Sequence, residues 1–319
     1  RDFIAGEFPI NGQQDPADYS ITNLDGCYWE DLPIENQAKI EDFTIRVLTI
    51  SDYKPGEPGE LFYRLNQPTN LTSAEQRNAY FGEARQQVKD LSEYMQEIGL
   101  STELIGFSNS RMAYDDVLAK CLLTFEKNTL SKKITANIVT SRYRESTGIR
   151  KDLIDRAKWS LNTLSSSIKN RSRKTKLNKA TLYSWIILFS RRELYQRTES
   201  GNLRTYFSNF ETLKEQGSEI DPALIPQGLT QKFTYKLIEI FLDRSSSRVS
   251  DISSVKLRDL ILTAFFIAYF RDTIDYDESY GLMYSRIHYL SSNFKDTLQE
   301  SNLLNLAADC AWGNKLWRV

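Results

Sequence analysis

The feature that most constrains the fold is a run of apolar residues spaced three and four positions apart between residues 75 and 99. The run consists of Phe81, Ala84, Val88, Leu91, Met95 and Ile98. Because an α-helix has about 3.6 residues per turn, this spacing places the side chains on one helical face. Gly99 favours the end of the helix at that point. The segment therefore predicts a helix that buries one face.

Comparable patterns occur in the rest of the chain and predict a mainly helical protein. The predicted helices cover residues 115–129, 150–168, 180–190, 232–243, 255–271 and 283–306. The segments 180–190 and 255–271 are apolar on nearly all sides, which is typical of helices buried in a core. The longest apolar run, residues 260–270, is shorter than the roughly 20 residues that a membrane span requires, so we expect no membrane contact.

The first part of the chain carries signals for short strands. Residues 43–50 alternate apolar and polar side chains and are rich in β-branched residues, which predicts a strand. A turn sequence at residues 23–26 predicts a hairpin within residues 19–28. The fold class that follows is mainly α (α+β), with a few short strands followed by a large helical region.

Two domains are expected from this change of pattern. The first covers residues 1–110 and the second, a helical domain, covers residues 111–319. The boundary is expected within residues 99–112, because Gly99, Gly106 and Asn109 cluster there. The three cysteines lie far apart in the sequence, which favours buried thiols in a reducing, cytoplasmic compartment.

Charge is distributed unevenly along the chain. Residues 1–100 carry 8 Lys or Arg against 18 Asp or Glu, whereas residues 101–200 carry 20 against 9. The basic third contains a cluster, here called the basic segment (residues 169–179), with Lys169, Arg171, Arg173, Lys174, Lys176 and Lys179. Clustered basic side chains favour DNA, because each neutralised phosphate releases counterions. The alternative is a solvated linker between two helices.

Several kinds of catalytic site are excluded by the residues present. The single histidine, His288, excludes zinc-hydrolase and histidine-rich nuclease sites within these residues, and no glycine-rich phosphate loop occurs. The carboxylates at residues 115–116 and 275–278 could bind a metal ion, but a helix N-terminus and a solvated turn explain them equally well. No metal ligand is therefore predicted.

Residues 60–79, here called the polar corner, combine a helix end, a polar connection and a helix start. Thr72 and Glu75 fit a capping box, in which the two residues satisfy each other's backbone N–H groups. Arg64 and Arg77 flank the uncharged polar residues between the helices. Fixed donors beside a helix N-terminus suit an anion such as a phosphate. The alternative is an ordinary helix–loop–helix connection.

Three blocks within residues 24–80 carry a resemblance to a known family. They are residues 26–33 with the strand that follows, residues 61–66 (Leu-Phe-Tyr-Arg-Leu-Asn) and residues 71–79 (Leu-Thr-Ser-Ala-Glu-Gln-Arg-Asn-Ala). The second block resembles the Phe-x-Arg-Leu-Asn helix, and the third the Leu-Ser-x-x-Glu-x-Arg-Asn-Ala start, of the GmrSD-type family. In that family of prokaryotic anti-phage restriction proteins, the blocks belong to the second half of a ParB/sulfiredoxin-like domain.

The resemblance implies that Arg64, Asn66, Arg77 and Asn78 bind a nucleotide or backbone phosphate. Glu75 is expected to be a helix cap. The family's Asp-Gly-Gln-Gln-Arg motif, implicated in nucleotide hydrolysis and DNA cleavage, is expected before Arg1, so no catalytic residue is assigned within these residues. The residues themselves leave the cofactor unknown, while the resemblance implies NTP and Mg²⁺.

Three functions from different classes follow from these observations. The first is an NTP-hydrolysing or DNA-nicking effector of an anti-phage system. The second is a non-catalytic DNA-binding or sensor subunit whose partner subunit carries the nuclease. The third is a helical protein–protein scaffold, for which no salt-dependent DNA binding is expected. A partner subunit or a homo-oligomer is compatible with each of them.

Overall fold

A computed structural model of the protein describes residues 2–12, 19–44, 47, 49, 51–54, 56–65, 71–169, 171, 173–195, 200–271, 278–294 and 297–317. Contacts within the chain divide it into two compact units, residues 1–52 and residues 53–319. Among the described helices, none combines the length and the apolar character that a bilayer crossing requires.

The regular structure of the described residues is helical, which confirms the mainly α prediction. The α-helices are α1 (Tyr19–Thr22), α2 (Ile34–Glu41), α3 (Glu57–Leu65), α4 (Ser73–Arg77), α5 (Glu83–Glu97), α6 (Thr102–Ile105), α7 (Ala113–Lys127), α8 (Ala136–Arg144), α9 (Lys151–Lys169), α10 (Lys179–Phe189), α11 (Ser200–Gln216), α12 (Gln231–Ser246), α13 (Ile252–Phe270), α14 (Glu278–Ser292) and α15 (Glu300–Asp309). Short 3₁₀ turns occur at Trp29–Asp31, Ser110–Met112, Arg192–Tyr195 and Pro222–Leu224.

No strand occurs in the described part of the chain, so the predicted short strands are not shown. Residues 45, 46, 48 and 50 of the predicted strand lie outside the described residues. The predicted hairpin within residues 19–28 is replaced by α1 and a turn. The N–H of Leu24 donates to the carbonyl of Ile21 at 2.9 Å, so the chain makes local hydrogen bonds there instead of cross-strand ones.

The first unit, residues 1–52, contains α1 and α2. Its N-terminal segment is joined to the turn after α1 by two backbone hydrogen bonds. The N–H of Ile10 donates to the carbonyl of Cys27, and the N–H of Gly26 donates to the carbonyl of Ile10, both at 2.9 Å. The ring of Phe3 contacts the ring of Trp29 edge-on at a centroid distance of 5.8 Å. These contacts hold residues 3–10 against residues 26–29.

The second unit, residues 53–319, is built around α10 and α13. Both helices are apolar on nearly all sides and are buried, which confirms that prediction. Helix α10 packs against α7, α9, α12 and α13. Trp185 of α10 contacts four rings at centroid distances of 4.7 to 5.6 Å, those of Phe189, Tyr206, Phe207 and Phe210. Three helices that the sequence pattern did not predict, α6, α8 and α11, complete this unit.

The segment 99–112, where a domain boundary was expected, lies within the second unit. Leu100 and Ile105 are fully buried and belong to the same hydrophobic core as Leu122 of α7. The helix predicted after Glu75 is divided into α4 and α5 by a turn that ends at Gly82. A Cβ atom at Gly82 would lie 2.9 Å from the carbonyl oxygen of Tyr143, so the close approach of α8 favours glycine there.

Candidate functional site

The polar corner is described on both sides of its connection. Arg64 is exposed on α3, and Asn66 lies outside the described residues. The predicted capping box is confirmed: the N–H of Thr72 donates to Oε2 of Glu75 at 2.6 Å, and the N–H of Glu75 donates to Oγ1 of Thr72 at 3.3 Å. The N–H and the hydroxyl of Thr72 both donate to the carboxylate and lower the pKa of Glu75, so the carboxylate is stabilised as a cap.

Arg77 is buried inside the second unit and binds a carboxylate. Its side chain is 2% exposed, and Nη2 donates to Oδ1 of Asp116 at 2.8 Å. The second oxygen of Asp116 accepts from Nζ of Lys120 at 2.6 Å. Burial raises the pKa of Asp116, but Lys120 and Arg77 lower it more strongly, and the net pKa lies below the ordinary value. The carboxylate is therefore engaged by two cations, which accounts for it without a metal ion.

The space beside Arg77 is very small. A cavity of about 10 Å³ borders Arg77, Asn78 and Arg85, which is the room of about one water molecule. Asn78 is itself engaged, because its Oδ1 accepts from Nη2 of Arg85 at 2.5 Å. Nη1 of Arg77 is buried and has no hydrogen-bond partner in the described residues. The geometry leaves no room for a phosphate at this position, so the predicted roles of Arg77 and Asn78 gain no support from it.

The other carboxylates considered as metal ligands are also engaged or lie outside the described residues. Asp115 accepts from Oγ of Ser92 at 3.2 Å and from Nδ2 of Asn109 at 3.4 Å. Asp275 and Asp277 are not among the described residues, and Glu278, the third carboxylate of that group, is exposed at the start of α14. Within the part of the chain that the structure describes, no group of three or more His, Cys, Asp or Glu side chains could hold a metal ion.

The basic segment divides into residues that support the fold and residues that face solvent. Nζ of Lys169 donates to the carbonyl of Ile98 at 2.7 Å, at the C-terminus of α5. The side chain of Arg171 is 1% exposed and binds Oε1 of Glu215 at 2.7 Å. Arg173 is 67% exposed and lies 3.7 Å from the same carboxylate. Lys174, Lys176 and Lys179 are exposed, as is Lys169, and the first three form no ion pair with the described residues.

A larger cavity, here called the cationic cavity, lies where α7, α10 and α13 meet. Its volume is about 150 Å³. Its inner wall is apolar and includes Val117, Leu130, Ile134, Ala180, Ile252 and Val255. Five cationic side chains line it, namely Lys120, Lys132, Lys133, Lys179 and Arg258, against the single carboxylate of Asp116. The cavity thus combines an apolar interior with an excess of positive charge.

Arg258 is the buried cation of this cavity and has no carboxylate partner among the described residues. It is 1% exposed. Its Nε donates to Oγ of Ser184 at 3.0 Å, and Nη1 and Nη2 donate to the carbonyls of Arg244 and Val249. Burial lowers the pKa of the Arg258 guanidinium to about 10. All three bonds go to neutral oxygens, so no carboxylate among the described residues binds the guanidinium directly, and Asp259 acts on its charge only through space.

The wall at residues 128–134 is held by a segment far away in the sequence, residues 313–317. The N–H of Leu130 donates to the carbonyl of Gly313 at 2.7 Å. Oδ1 of Asn128 accepts from the N–H groups of Leu316 and Trp317, both at 3.1 Å. Because Leu130, Lys132, Lys133 and Ile134 follow Asn128 directly, this contact fixes one side of the cationic cavity.

Sequence reasoning identified Lys179 but missed the rest of the cationic cavity. The adjacent lysines Lys132 and Lys133 were one available signal. Another was Arg258, a charged residue inside the apolar helix α13. In comparisons with known proteins, no protein-family model, no curated protein and no solved structure matched the chain.

Proposed function

We propose that this chain binds DNA through the exposed part of its basic segment, as a component of a prokaryotic anti-phage restriction system. The observation that supports DNA binding is the exposure of Arg173, Lys174, Lys176 and Lys179 next to two residues that fix the segment. Anchoring of the segment by Lys169 and Arg171 reduces the entropy that the exposed cations lose on binding a phosphate backbone. The link to restriction rests on the resemblance of residues 61–79 alone.

DNA binding is tested by fluorescence anisotropy with a labelled duplex between 50 and 200 mM salt. The double variant Lys174→Gln/Lys176→Gln is expected to weaken binding and to reduce the slope of log K against log salt by about 2, because each lost phosphate contact removes about one unit. The matched control is Lys89→Gln/Lys236→Gln, which removes the same charge from two other exposed, ion-paired lysines.

Two outcomes would contradict DNA binding. One is the absence of binding at 50 mM salt, which would favour the scaffold function. The other is an equal change of slope in the test and control variants, because the effect would then come from net charge and not from the basic segment.

The proposal also includes an effector activity, which is either NTP hydrolysis or DNA nicking. Arg64 is its test residue, because it is exposed at the end of α3 and belongs to the block that resembles the family. In an assay of the full-length protein, Arg64→Ala is expected to lower nucleotide hydrolysis, with Arg150→Ala as the control at an exposed arginine outside the blocks. Normal hydrolysis by Arg64→Ala would remove Arg64 from the site. DNA binding without hydrolysis or nicking would favour the non-catalytic sensor subunit.

A further inference from the structure

The cationic cavity has the size of a small organic group. Its volume of about 150 Å³ matches that of apolar protein cavities that bind benzene. The interior offers apolar side chains from α7, α10 and α13, so a fully polar ion would lose water contacts there without replacing them. An occupant of the interior therefore needs an apolar body of about one aromatic ring.

The charged side chains around the cavity determine which charge the polar part of a bound ligand carries. Lys120 and Lys133 are paired, with Asp116 at 2.6 Å and with Asp251 at 2.8 Å. Lys132 and Lys179 line the same cavity and form no ion pair with the described residues. The surplus at the cavity is therefore positive, and an anionic group placed there gains electrostatic stabilisation.

Arg258 provides an independent observation that points in the same direction. A buried guanidinium bonded only to neutral oxygens destabilises the free protein relative to one with an anion nearby. Asp259, the adjacent carboxylate in the sequence, is not available, since it binds Arg191 through both oxygens and accepts from Nε1 of Trp312. No carboxylate among the described residues therefore binds Arg258 directly, and Asp259 offsets its charge only through space.

We propose that the cationic cavity binds a small organic anion that carries one carboxylate or phosphate group on an apolar body the size of a single aromatic ring. The apolar body contacts the wall formed by Val117, Ile134 and Val255, and the anionic group lies near Lys132, Lys179 and Arg258. This site is separate from the DNA-binding proposal and does not depend on it. The two share only Lys179.

Isothermal titration calorimetry with three probes tests whether the apolar ring and the anionic group both contribute to binding. Phenyl phosphate has the ring and the anion, inorganic phosphate has only the anion, and phenol has only the ring. With the full chain, phenyl phosphate is expected to bind with a stoichiometry of one and about ten-fold or more tightly than either of the others. Equal affinities of phenyl phosphate and inorganic phosphate would overturn the proposal, because binding would then reflect surface lysines alone.

Two variants assign the binding to this cavity. Val255→Trp fills the interior and is expected to lower the affinity for phenyl phosphate about ten-fold or more. Lys132→Gln acts at an exposed residue and is expected to lower it by about two- to five-fold while leaving phenol unchanged. Lys89→Gln is the charge-matched control. If Val255→Trp does not fold, as judged by circular dichroism, Lys132→Gln still decides the outcome.

The same variants distinguish this proposal from DNA binding. Val255→Trp keeps every charge, so the affinity for duplex DNA is expected to stay unchanged while phenyl phosphate binding is lost. Loss of both would mean that the cavity is part of the DNA surface and would overturn a separate site for a small anion. Phenyl phosphate binding that neither Val255→Trp nor Lys132→Gln alters would place the ligand elsewhere and would also overturn the proposal.

Discussion

The polar corner and the cationic cavity each contain a buried arginine, and the two arginines differ in what they bind. Arg77 donates to the carboxylate of Asp116, whereas Arg258 donates to one hydroxyl and two carbonyl oxygens. Both side chains are almost fully buried. The charge of the first is bound directly by a carboxylate, and the charge of the second is offset only through space by Asp259. An arginine is open to an anion from outside only where no internal carboxylate binds it, and this is the basis of the ligand site that we propose beside Arg258.

A third buried arginine, Arg191, binds a carboxylate as Arg77 does. Arg191 binds both oxygens of Asp259, at 2.7 and 2.8 Å. Asp259 directly follows Arg258, yet the two residues do not pair. Consecutive positions on a helix point about 100° apart, so the carboxylate faces Arg191 and Trp312 while Arg258 faces the cavity. Neighbours in the sequence are therefore a poor guide to ion pairs within a helix.

The largest expected effect is the loss of stability on removal of a compensated charge. Arg77→Met leaves Asp116 buried with Lys120 as its remaining cation, and the free energy of unfolding is expected to fall by about 3 kcal/mol. Urea unfolding followed by circular dichroism measures this difference. Arg150→Met is the control at an exposed arginine, and a comparable loss there would contradict the assignment.

The next largest effect is expected from the ion pair between Arg77 and Asp116, and it depends on pH. Asp116→Asn is expected to lower the free energy of unfolding at pH 7 by about 2 kcal/mol, because the amide keeps a hydrogen bond to Arg77 but loses the charge. The pKa of Asp116 in the folded state lies below its ordinary value of 3.8. The advantage of the wild-type protein is therefore complete above pH 3.8 and is lost as the pH falls through the lower folded-state pKa.

Urea unfolding of the wild-type protein and of Asp116→Asn at pH 7, 4 and 3 tests whether the stabilisation by Asp116 is lost on acidification. The difference between the two proteins is expected to shrink between pH 4 and 3. A difference that stays constant over that range would mean that the charge of Asp116 does not contribute to stability.

At Arg258 we expect a smaller loss of stability, and the Met and Lys variants are expected to rank in the opposite order to those at Arg77. Arg258→Met loses three hydrogen bonds but also removes a buried charge that no carboxylate binds directly, so the net loss is about 1 kcal/mol. Arg258→Lys keeps the charge with fewer directed hydrogen bonds, and it is expected to be less stable than Arg258→Met. At Arg77 the order is reversed, with Lys more stable than Met. The same order at both sites would break the comparison.

The smallest expected effect separates the two kinds of lysine in the basic segment. Lys169→Met removes a donor from the carbonyl of Ile98 at the C-terminus of α5 and is expected to cost about 0.5 kcal/mol, with little change in the salt dependence of DNA binding. Lys174→Met is expected to leave stability unchanged and to weaken DNA binding. Chemical unfolding and fluorescence anisotropy on both variants provide the measurement.

Sequence reasoning succeeded where one local pattern determines the structure. The apolar character of α10 and α13 predicted that they are buried, and the order Thr72, Glu75 predicted the capping box. Helix α11 was missed although its buried residues, Leu203, Tyr206, Phe207, Phe210 and Leu213, follow a helical spacing. Gly82 is a local signal for the break that was overlooked, whereas the close approach of Tyr143, more than 50 residues away, is not visible in the local pattern.

The candidate site was harder to predict than the fold, for a related reason. Arg64, Arg77 and the basic segment were selected because they are basic and lie close together in the sequence. Whether a basic side chain is available depends on carboxylates from other helices, such as Asp116 for Arg77 and Glu215 for Arg171. These partners are 39 and 44 residues distant in the chain, and no local pattern links them.

The contact between residues 128–134 and residues 313–317 has a consequence for the order of events during synthesis. Asn128 leaves the ribosome long before Trp317, to which it bonds across 189 positions of the chain. Until those later residues emerge, the segment lacks the backbone hydrogen bond from Leu130 to Gly313 and the bonds of Asn128, and the pair of Lys133 with Asp251 is its earlier contact. The helices around it can pack earlier, because domains fold progressively as the chain emerges. The proposed small-anion site is thus expected to be among the last features that a newly made molecule completes.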